Sequence, residues 1–278
     1  METIQSLGFG TASLSSMRSQ FEVMQLLNAA YKEGIRHFDT ALLYGRGYSE
    51  KLLGSFAKDK RTSLQIATKF GLGISKPIRL SPHFALPLNY YRKKWSGQKH
   101  ITSEPLVATE PAKLPFRSIS LECVKNNLEG SLHRLQTNYI DFYLLHEALP
   151  EFLEPDALDF LLLQKEKGTI RYIGVATDAY NLQMMNPRDC EHWDILQYEA
   201  GPWYEKLKSR YPDKLHFLHS ALKNIRTWNE DPNIPVADRG GYLLAQHSKI
   251  NSSGKLLFST RRKTVLHDNL LAFKKYSI

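Results

Sequence analysis

Four polar side chains follow short apolar runs of the chain, and their chemical types together suit acid catalysis. They are Asp39 after "HF", Tyr44 five residues later, Lys69 in "IATKF" and His146 at the end of "FYLLH". A phenol has a pKa of about 10, so it is a weak proton donor at neutral pH. A neighbouring ammonium lowers that pKa, and a carboxylate keeps the ammonium charged and oriented. With a histidine bonded to the same substrate oxygen, the set could protonate an oxygen that becomes an alkoxide, as carbonyl reduction requires.

Each of these residues also has an ordinary structural explanation. They could be a capping aspartate, a surface tyrosine, a lysine that extends its charge to solvent and a strand-end histidine. Taken singly, the structural explanations are the commoner ones. The catalytic interpretation therefore depends on whether the fold brings the four side chains to one place.

The rest of the chain alternates between two kinds of segment. Short β-branched or aromatic runs such as "SLGFGTAS", "LQIATKF", "YIGVAT" and "LLFST" alternate with amphipathic stretches such as "QFEVMQLLNAAYKEG" and "SLECVKNNLEGSLHRL". Gly34 and Gly168 follow stretches rich in lysine and glutamate, as glycines that end helices do. About eight strand–helix pairs in this length predict an α/β fold, a (β/α)₈ TIM barrel, rather than an open sheet. Such a barrel presents the carboxyl ends of its strands, and so the four polar residues, at one rim.

Residues 71–117, after the third predicted strand, interrupt this alternation. They hold six prolines and the aromatic-basic run "NYYRKKW". A loop of this length inside a compact domain is normally functional or disordered, and in a barrel it would emerge on the active-site face. Tyr90, Tyr91 and Trp95, with their basic neighbours, could line a substrate pocket that attracts an anionic substrate. A solvated lid or an interaction patch explains them equally well.

Composition and charge limit the classes of protein. The 278 residues are 42% hydrophobic and 23% charged, which is globular usage. No apolar run reaches the roughly 18 to 20 residues of a membrane helix, the first residues lack the features of a signal peptide, and Cys123 and Cys190 have no metal or redox spacing. We expect one cytoplasmic domain over residues 1–278, without metal. The net charge of +9 indicates an anionic partner, either a nucleic acid or a phosphate-bearing cofactor or substrate.

Several motifs, in order along almost the whole chain, resemble those of the aldo-keto reductases, barrel oxidoreductases that use a nicotinamide cofactor without a Rossmann domain. They are "LGFGTASL", "AYKEGIRHFDTALLYG", "LQIATKFG", "EGSLHRLQTNYIDFYLLHE", "KEKGTIRYIGVAT", "DILQYE" and "LLFSTRR…DN". The resemblance implies hydride transfer between NADP(H) and an aldehyde, ketone or sugar carbonyl. It makes Tyr44 the proton donor, tuned by Lys69, with Asp39 holding Lys69 and His146 orienting the carbonyl.

The resemblance also implies where the cofactor binds. Gln197 matches the family's glutamine at the nicotinamide, whereas the family's Ser-Asn pair is replaced by Ala176 and Thr177. Thr177 would bind the carboxamide through its hydroxyl. The family's stacking tyrosine, in a Tyr-Ser-Pro-Leu stretch, is replaced by "HSAL", so His219 would stack on the ring. The cofactor set at this end is Thr177, Gln197, His219, Ser220 and Leu222.

The segment "STRRKTVLHDN" resembles the family's adenosine-phosphate site. Ser259, Thr260 and Arg261 would meet the phosphate, and Asn269 the adenine. Hydroxyls and an arginine at a helix start suit a phosphate, and Arg262 and Lys263 add charge. The prediction is NADP, with NAD as the alternative.

Two other functions compete with the reductase. A nicotinamide-binding regulator or sensor with little turnover is favoured by the departures at 176–178 and 219, and opposed by the intact set of four. Nucleic-acid binding would explain the charge, but no recognisable motif supports it, and we expect no nucleic-acid or membrane partner. The substrate and the oligomeric state are not predicted.

Overall fold

The eight strands of the protein close into a parallel barrel in chain order, β1 to β8, in a computed structural model that describes residues 4–72, 86, 118–223, 225, 231 and 233–277. The strands are β1 (Ile4–Gly10), β2 (Ile35–Asp39), β3 (Gln65–Phe70), β4 (Ile140–His146), β5 (Ile170–Ala176), β6 (Ile195–Glu199), β7 (Leu215–His219) and β8 (Lys255–Phe258). β8 returns to pair with β1, Leu256 opposite Leu7.

An α-helix follows each strand within the described residues. The helices are α1 (Gln20–Lys32), α2 (Tyr48–Ala57), α3 (Leu121–Leu135), α4 (Pro155–Glu166), α5 (Ala179–Met184), α6 (Tyr204–Arg210), α7 (Arg239–Ile250) and α8 (Lys263–Tyr276). The predicted (β/α)₈ barrel is therefore confirmed. Most of the predicted loop 71–117, including Tyr90, Tyr91 and Trp95, lies outside the described residues. None of the helices described is both long and apolar enough to cross a lipid bilayer.

Local sequence explains where the helices begin and end. The side chains of Ser19 and Ser120 accept hydrogen bonds from backbone N–H groups in the first turns of α1 and α3, and Asp178 does the same for α5. Gly34 and Gly168 lie just beyond α1 and α4 with φ of 106° and 73°, a left-handed conformation that glycine adopts without steric cost. Both predicted helix ends are confirmed.

Two apolar layers hold the barrel. Inside it, Phe142, Leu144, Ile195 and Phe217 belong to one buried cluster. The buried His37 ring contacts two of them, Phe142 and, edge-to-face, Phe217. Outside it, strand residues such as Phe38 pack against helix residues such as Phe56. The closed interior leaves the carboxyl ends of the strands as the place where polar side chains gather.

A buried ionic contact connects α2, β3 and α3 behind the rim. The carboxylate of Glu50 accepts a hydrogen bond from Thr68 Oγ1 at 2.7 Å and pairs with Arg134 Nε at 2.6 Å. Thr68 precedes Lys69 in β3, and Glu50 lies in α2, directly after the segment that carries Tyr44. This contact therefore fixes the elements that position two of the four predicted site residues.

Gly54 provides a test of how closely α2 and α3 pack. A Cβ at Gly54 would lie 2.5 Å from the carbonyl oxygen of Arg134 and 2.8 Å from Cα of Leu135, so Gly54→Ala forces the two backbones apart. We expect Gly54→Ala to lower the free energy of unfolding by about 1–3 kcal/mol, despite the roughly 1 kcal/mol that alanine gains in helix propensity. Urea denaturation measures this change.

Gly201→Ala is the matched control, because a Cβ at Gly201 meets nothing within 4 Å. If Gly54→Ala proved as stable as Gly201→Ala, the backbones of α2 and α3 would not pack as closely at Gly54 as the structure shows.

Candidate active site

A cavity of about 720 Å³ opens at the carboxyl ends of the strands. Its wall contains all four of the side chains predicted to act together, Asp39, Tyr44, Lys69 and His146. The strand register explains this: Gly10 lies opposite Asp39, Asp39 opposite Ala67, and His146 opposite Ala176. The parallel strands therefore bring their carboxyl ends, and with them these side chains, to one rim of the barrel.

Lys69 and Asp39 form a buried ion pair at the base of the cavity. Nζ of Lys69 lies 2.7 Å from Oδ1 of Asp39 and also donates to the backbone oxygen of Thr40 at 2.9 Å. Burial by itself lowers the pKa of Lys69, but the Asp39 carboxylate and the Tyr44 phenol together more than offset this, so the pKa is raised. The ammonium therefore stays charged at neutral pH.

The phenol of Tyr44 lies at the edge of hydrogen-bonding distance from this ammonium. The oxygen is 3.5 Å from Nζ of Lys69, and Nζ lies 5.0 Å from the ring centroid. Burial raises the pKa of Tyr44, and the charge of Lys69 lowers it by less, so the net pKa is raised. The expected effect of Lys69 is present, but the expected net lowering is wrong because loss of solvation outweighs it. Tyr44 is thus a neutral, protonated phenol near neutral pH.

His146 stands across the cavity from Tyr44. The ring centroids are 6.1 Å apart and the planes are nearly perpendicular, at 87°. Burial, with a further contribution from the charge of Lys69, lowers the pKa of His146 to about 3. The imidazole is therefore uncharged over the physiological range and offers one donor and one acceptor nitrogen.

Gln197 and Thr177 each have half of their hydrogen-bonding capacity committed. Nε2 of Gln197 donates to Oδ2 of Asp39 at 2.8 Å, and Oγ1 of Thr177 accepts from Nδ2 of Asn181 at 3.0 Å. A carboxylate can only accept hydrogen bonds, so Asp39 must face the amino group of the Gln197 amide. In the same way, Asp178 accepts from the amino group of Asn181 and so fixes the orientation of the Asn181 amide. This leaves a carbonyl oxygen on Gln197 and a hydroxyl proton on Thr177 for a ligand in the cavity.

His219, the last residue of β7, lines the cavity together with Ser220 and Leu222, which follow the strand. Nδ1 of His219 lies 2.9 Å from the hydroxyl of Ser220, and burial lowers the pKa of His219. Ser220 has φ of 61°, a left-handed conformation that is uncommon for a residue other than glycine. The structure therefore brings this predicted segment to the same cavity as Gln197.

Of the residues predicted to bind the adenosine phosphate and adenine, one lines the cavity and three lie outside it. Ser259 lines the cavity, whereas Thr260, Arg261 and Asn269 do not. Oγ1 of Thr260 accepts from the backbone N–H of Arg262 just before α8 begins. Asn269 is buried where α8 meets α7, in contact with the position that a Cβ on Gly240 would take.

Sequence reasoning missed three charged residues of the cavity wall, Glu147, Glu199 and Lys223. Glu147 directly follows His146, and Glu199 is the last residue of β6. The rule that identified Asp39 and His146, polar residues at strand ends, applies to both glutamates. Lys223 follows no strand end directly, and no sequence pattern identifies it.

Comparisons with known proteins identify the family. The model of the Aldo/keto reductase family matches residues 6–229. Curated relatives include an uncharacterized oxidoreductase of Bacillus subtilis, YqkF, 26% identical over 64% of this chain and 47% of that protein. An aldo-keto reductase of Alternaria alternata is 26% identical over 56% of this chain and 40% of its own length. The chain thus matches about half or less of the length of these relatives.

A solved structure gives the same architecture over nearly the whole chain. The aldo-keto reductase of Klebsiella pneumoniae, solved in complex with NADPH, superposes with a TM-score of 0.65 at 17% identity, over 98% of this chain and 86% of its own. At that identity the likeness establishes the fold alone.

Proposed function

The chain belongs to the aldo/keto reductase family of oxidoreductases, and we propose that it transfers hydride between NADPH and an aldehyde, ketone or sugar carbonyl, with Tyr44 as the general acid. The observation that carries this proposal is the placement of a protonated phenol, a charged ammonium and a neutral imidazole around one cavity. Protonation of an oxygen that gains negative charge needs a donor of this kind.

Each of the four residues has a distinct task in the proposed reaction. Oη of Tyr44 gives its proton to the carbonyl oxygen, and the ammonium of Lys69 stabilises the phenolate that remains. Asp39 holds Lys69 charged and in place through the 2.7 Å ion pair. His146, uncharged because its pKa is about 3, donates a hydrogen bond to the carbonyl oxygen without competing as an acid. In the reverse direction, Tyr44 takes the proton from an alcohol.

Thr177 and Gln197 fit a carboxamide, the polar group of nicotinamide. A carboxamide has one carbonyl, which accepts, and one amino group, which donates. With these bonds made, the Thr177 hydroxyl can still donate a hydrogen bond and the Gln197 carbonyl oxygen can still accept one, so the pair complements the carbonyl and the amino group of a carboxamide. Thr177 with Gln197 would therefore hold the nicotinamide, and His219 would lie against its ring. The bound cofactor supplies the hydride.

The start of α8 is the proposed site of the adenosine phosphate. Arg261, Arg262 and Lys263 lie exposed there, beside the hydroxyls of Ser259 and Thr260. Clustered cations and a helix amino terminus favour an additional phosphate, which distinguishes NADP from NAD. Asn269 remains the proposed adenine contact.

The first experiment follows the loss of reduced-nicotinamide absorbance with NADPH or NADH over a panel of aldehydes, ketones and sugars. We expect turnover with NADPH to exceed that with NADH. Arg261→Gln should raise KM for NADPH by about tenfold and change KM for NADH little, because only NADPH carries the extra phosphate. Arg188→Gln, on an exposed arginine of a short 3₁₀-helix, is the matched control.

Two results would contradict parts of this proposal. If Arg261→Gln changed KM for NADPH and KM for NADH equally, Arg261 would not bind the additional phosphate of NADPH. Binding of NADPH without reduction of any carbonyl in the panel would favour the regulator or sensor instead. The departures at Thr177 and His219 would then be the first residues to examine.

A further inference from the structure

Among the described residues of the cavity wall there are three carboxylates, and two of them have a cationic partner. Asp39 pairs with Lys69 at 2.7 Å, and Glu199 pairs with Lys223 at 2.7 Å. Glu147 makes neither an ion pair nor a side-chain hydrogen bond with any residue in the described ranges. The described wall therefore carries one uncompensated negative charge, and that charge is on Glu147.

Glu147 is held at a particular place beside the proposed reacting groups. It directly follows His146, and its backbone N–H donates to the oxygen of Ala176 on the next strand at 2.7 Å. Its φ is 51°, a left-handed conformation that is uncommon for a residue other than glycine. The hydrogen bond to Ala176 thus holds the backbone of Glu147 beside His146, and Glu147 lines the cavity.

The surroundings of Glu147 disfavour an unpaired carboxylate. Burial raises its pKa, the negative charge of Asp178 raises it further, and Lys69 only partly offsets these effects. Lys69 is already committed to Asp39 and Thr40. A positively charged group in the cavity would therefore gain more from Glu147 than it would from a fully solvated carboxylate.

We propose that Glu147 binds a cationic group of the substrate, so that the protein prefers carbonyl compounds that carry a protonated amine. This inference rests on the proposed reductase function and names the substrate class for that site. It differs from the anionic substrate that the basic run in residues 71–117 could attract, because the charge on the described wall has the opposite sign.

A pair of aldehydes of nearly equal shape tests the inference. para-(Dimethylaminomethyl)benzaldehyde is protonated at neutral pH, and para-isobutylbenzaldehyde replaces the ammonium by a carbon. We expect wild-type kcat/KM to be higher for the cation, and Glu147→Gln to lower the ratio of the two kcat/KM values by about 10- to 100-fold. Glu151→Gln makes the same change of charge at an exposed residue nearby and should leave the ratio within about twofold.

An unchanged ratio in Glu147→Gln, or an equal fall in Glu151→Gln, would overturn the inference while the reductase function stood. If the wild-type protein reduced neither aldehyde, the panel of aldehydes, ketones and sugars would decide the proposed function, and equilibrium binding would decide the role of Glu147. In that measurement N,N-dimethylbenzylamine is compared with isobutylbenzene by tryptophan fluorescence. A preference for the cation that disappears in Glu147→Gln would support the inference, and equal binding of both would refute it.

Discussion

Replacing Tyr44 by phenylalanine is expected to lower kcat by about 10²–10⁴-fold, the usual contribution of a positioned general acid. The substitution removes one oxygen and leaves the ring that stands edge-to-face with His146 at 6.1 Å. The ammonium of Lys69, 3.5 Å from that oxygen, keeps its bonds to Asp39 and Thr40. The fold and the cofactor site should therefore persist while the proton donor is lost.

The measurement is steady-state reduction of a reactive aldehyde with saturating NADPH, together with the dissociation constant of NADPH. Tyr180→Phe is the matched control, because Tyr180 is a half-exposed tyrosine on α5 and does not line the cavity. It should retain wild-type kcat. A Tyr44→Phe variant that bound NADPH normally and kept most of its kcat would show that another group donates the proton.

Much of the fold follows from local sequence patterns. Strands of the barrel are buried on both sides, so in the sequence they are short apolar runs. The amphipathic stretches between them indicate helices. The polar residues that end β2 and β4, Asp39 and His146, therefore stood out. Because parallel strands share one direction, their meeting at one rim follows from the topology alone.

The energetic balance within the site does not follow from local patterns. The pKa of Tyr44 depends on how deeply the phenol is buried, which only the folded chain defines. The hydrogen bond from Gln197 to Asp39 joins residues 158 positions apart, and the bond from Asn181 gives Thr177 its donor role. The burial of Asn269 against Gly240 likewise depends on how α7 packs on α8, which no local pattern shows.

Breaking the ion pair of Lys69 and Asp39 is expected to cost stability as well as activity. Both side chains are almost fully buried, so among the described residues Lys69→Met leaves the Asp39 carboxylate with the Gln197 amide as its one side-chain partner. Asp39→Asn leaves the ammonium of Lys69 with the Thr40 carbonyl. The amide hydrogens of the new asparagine then face Lys69 or Gln197, both of which donate hydrogen bonds at this position. Each single change should lower the free energy of unfolding by about 3–5 kcal/mol, the usual cost of an unpaired buried charge.

Urea denaturation of the two single variants and of the double variant Asp39→Asn/Lys69→Met measures the coupling of the pair. The double variant should lose clearly less stability than the sum of the single changes, because it contains no unpaired buried charge. Lys275→Met, which removes an exposed ion pair with Asp238, should leave the free energy of unfolding nearly unchanged, because solvent screens exposed charges.

The double variant also separates the structural role of the pair from its proposed catalytic one. It should regain stability and remain as inactive as Lys69→Met, because methionine cannot stabilise the phenolate of Tyr44. If the costs of the single changes simply added, the two charges would not be coupled in the folded protein. If the double variant regained turnover, the ammonium of Lys69 would not act on Tyr44, and the pair would serve the fold alone.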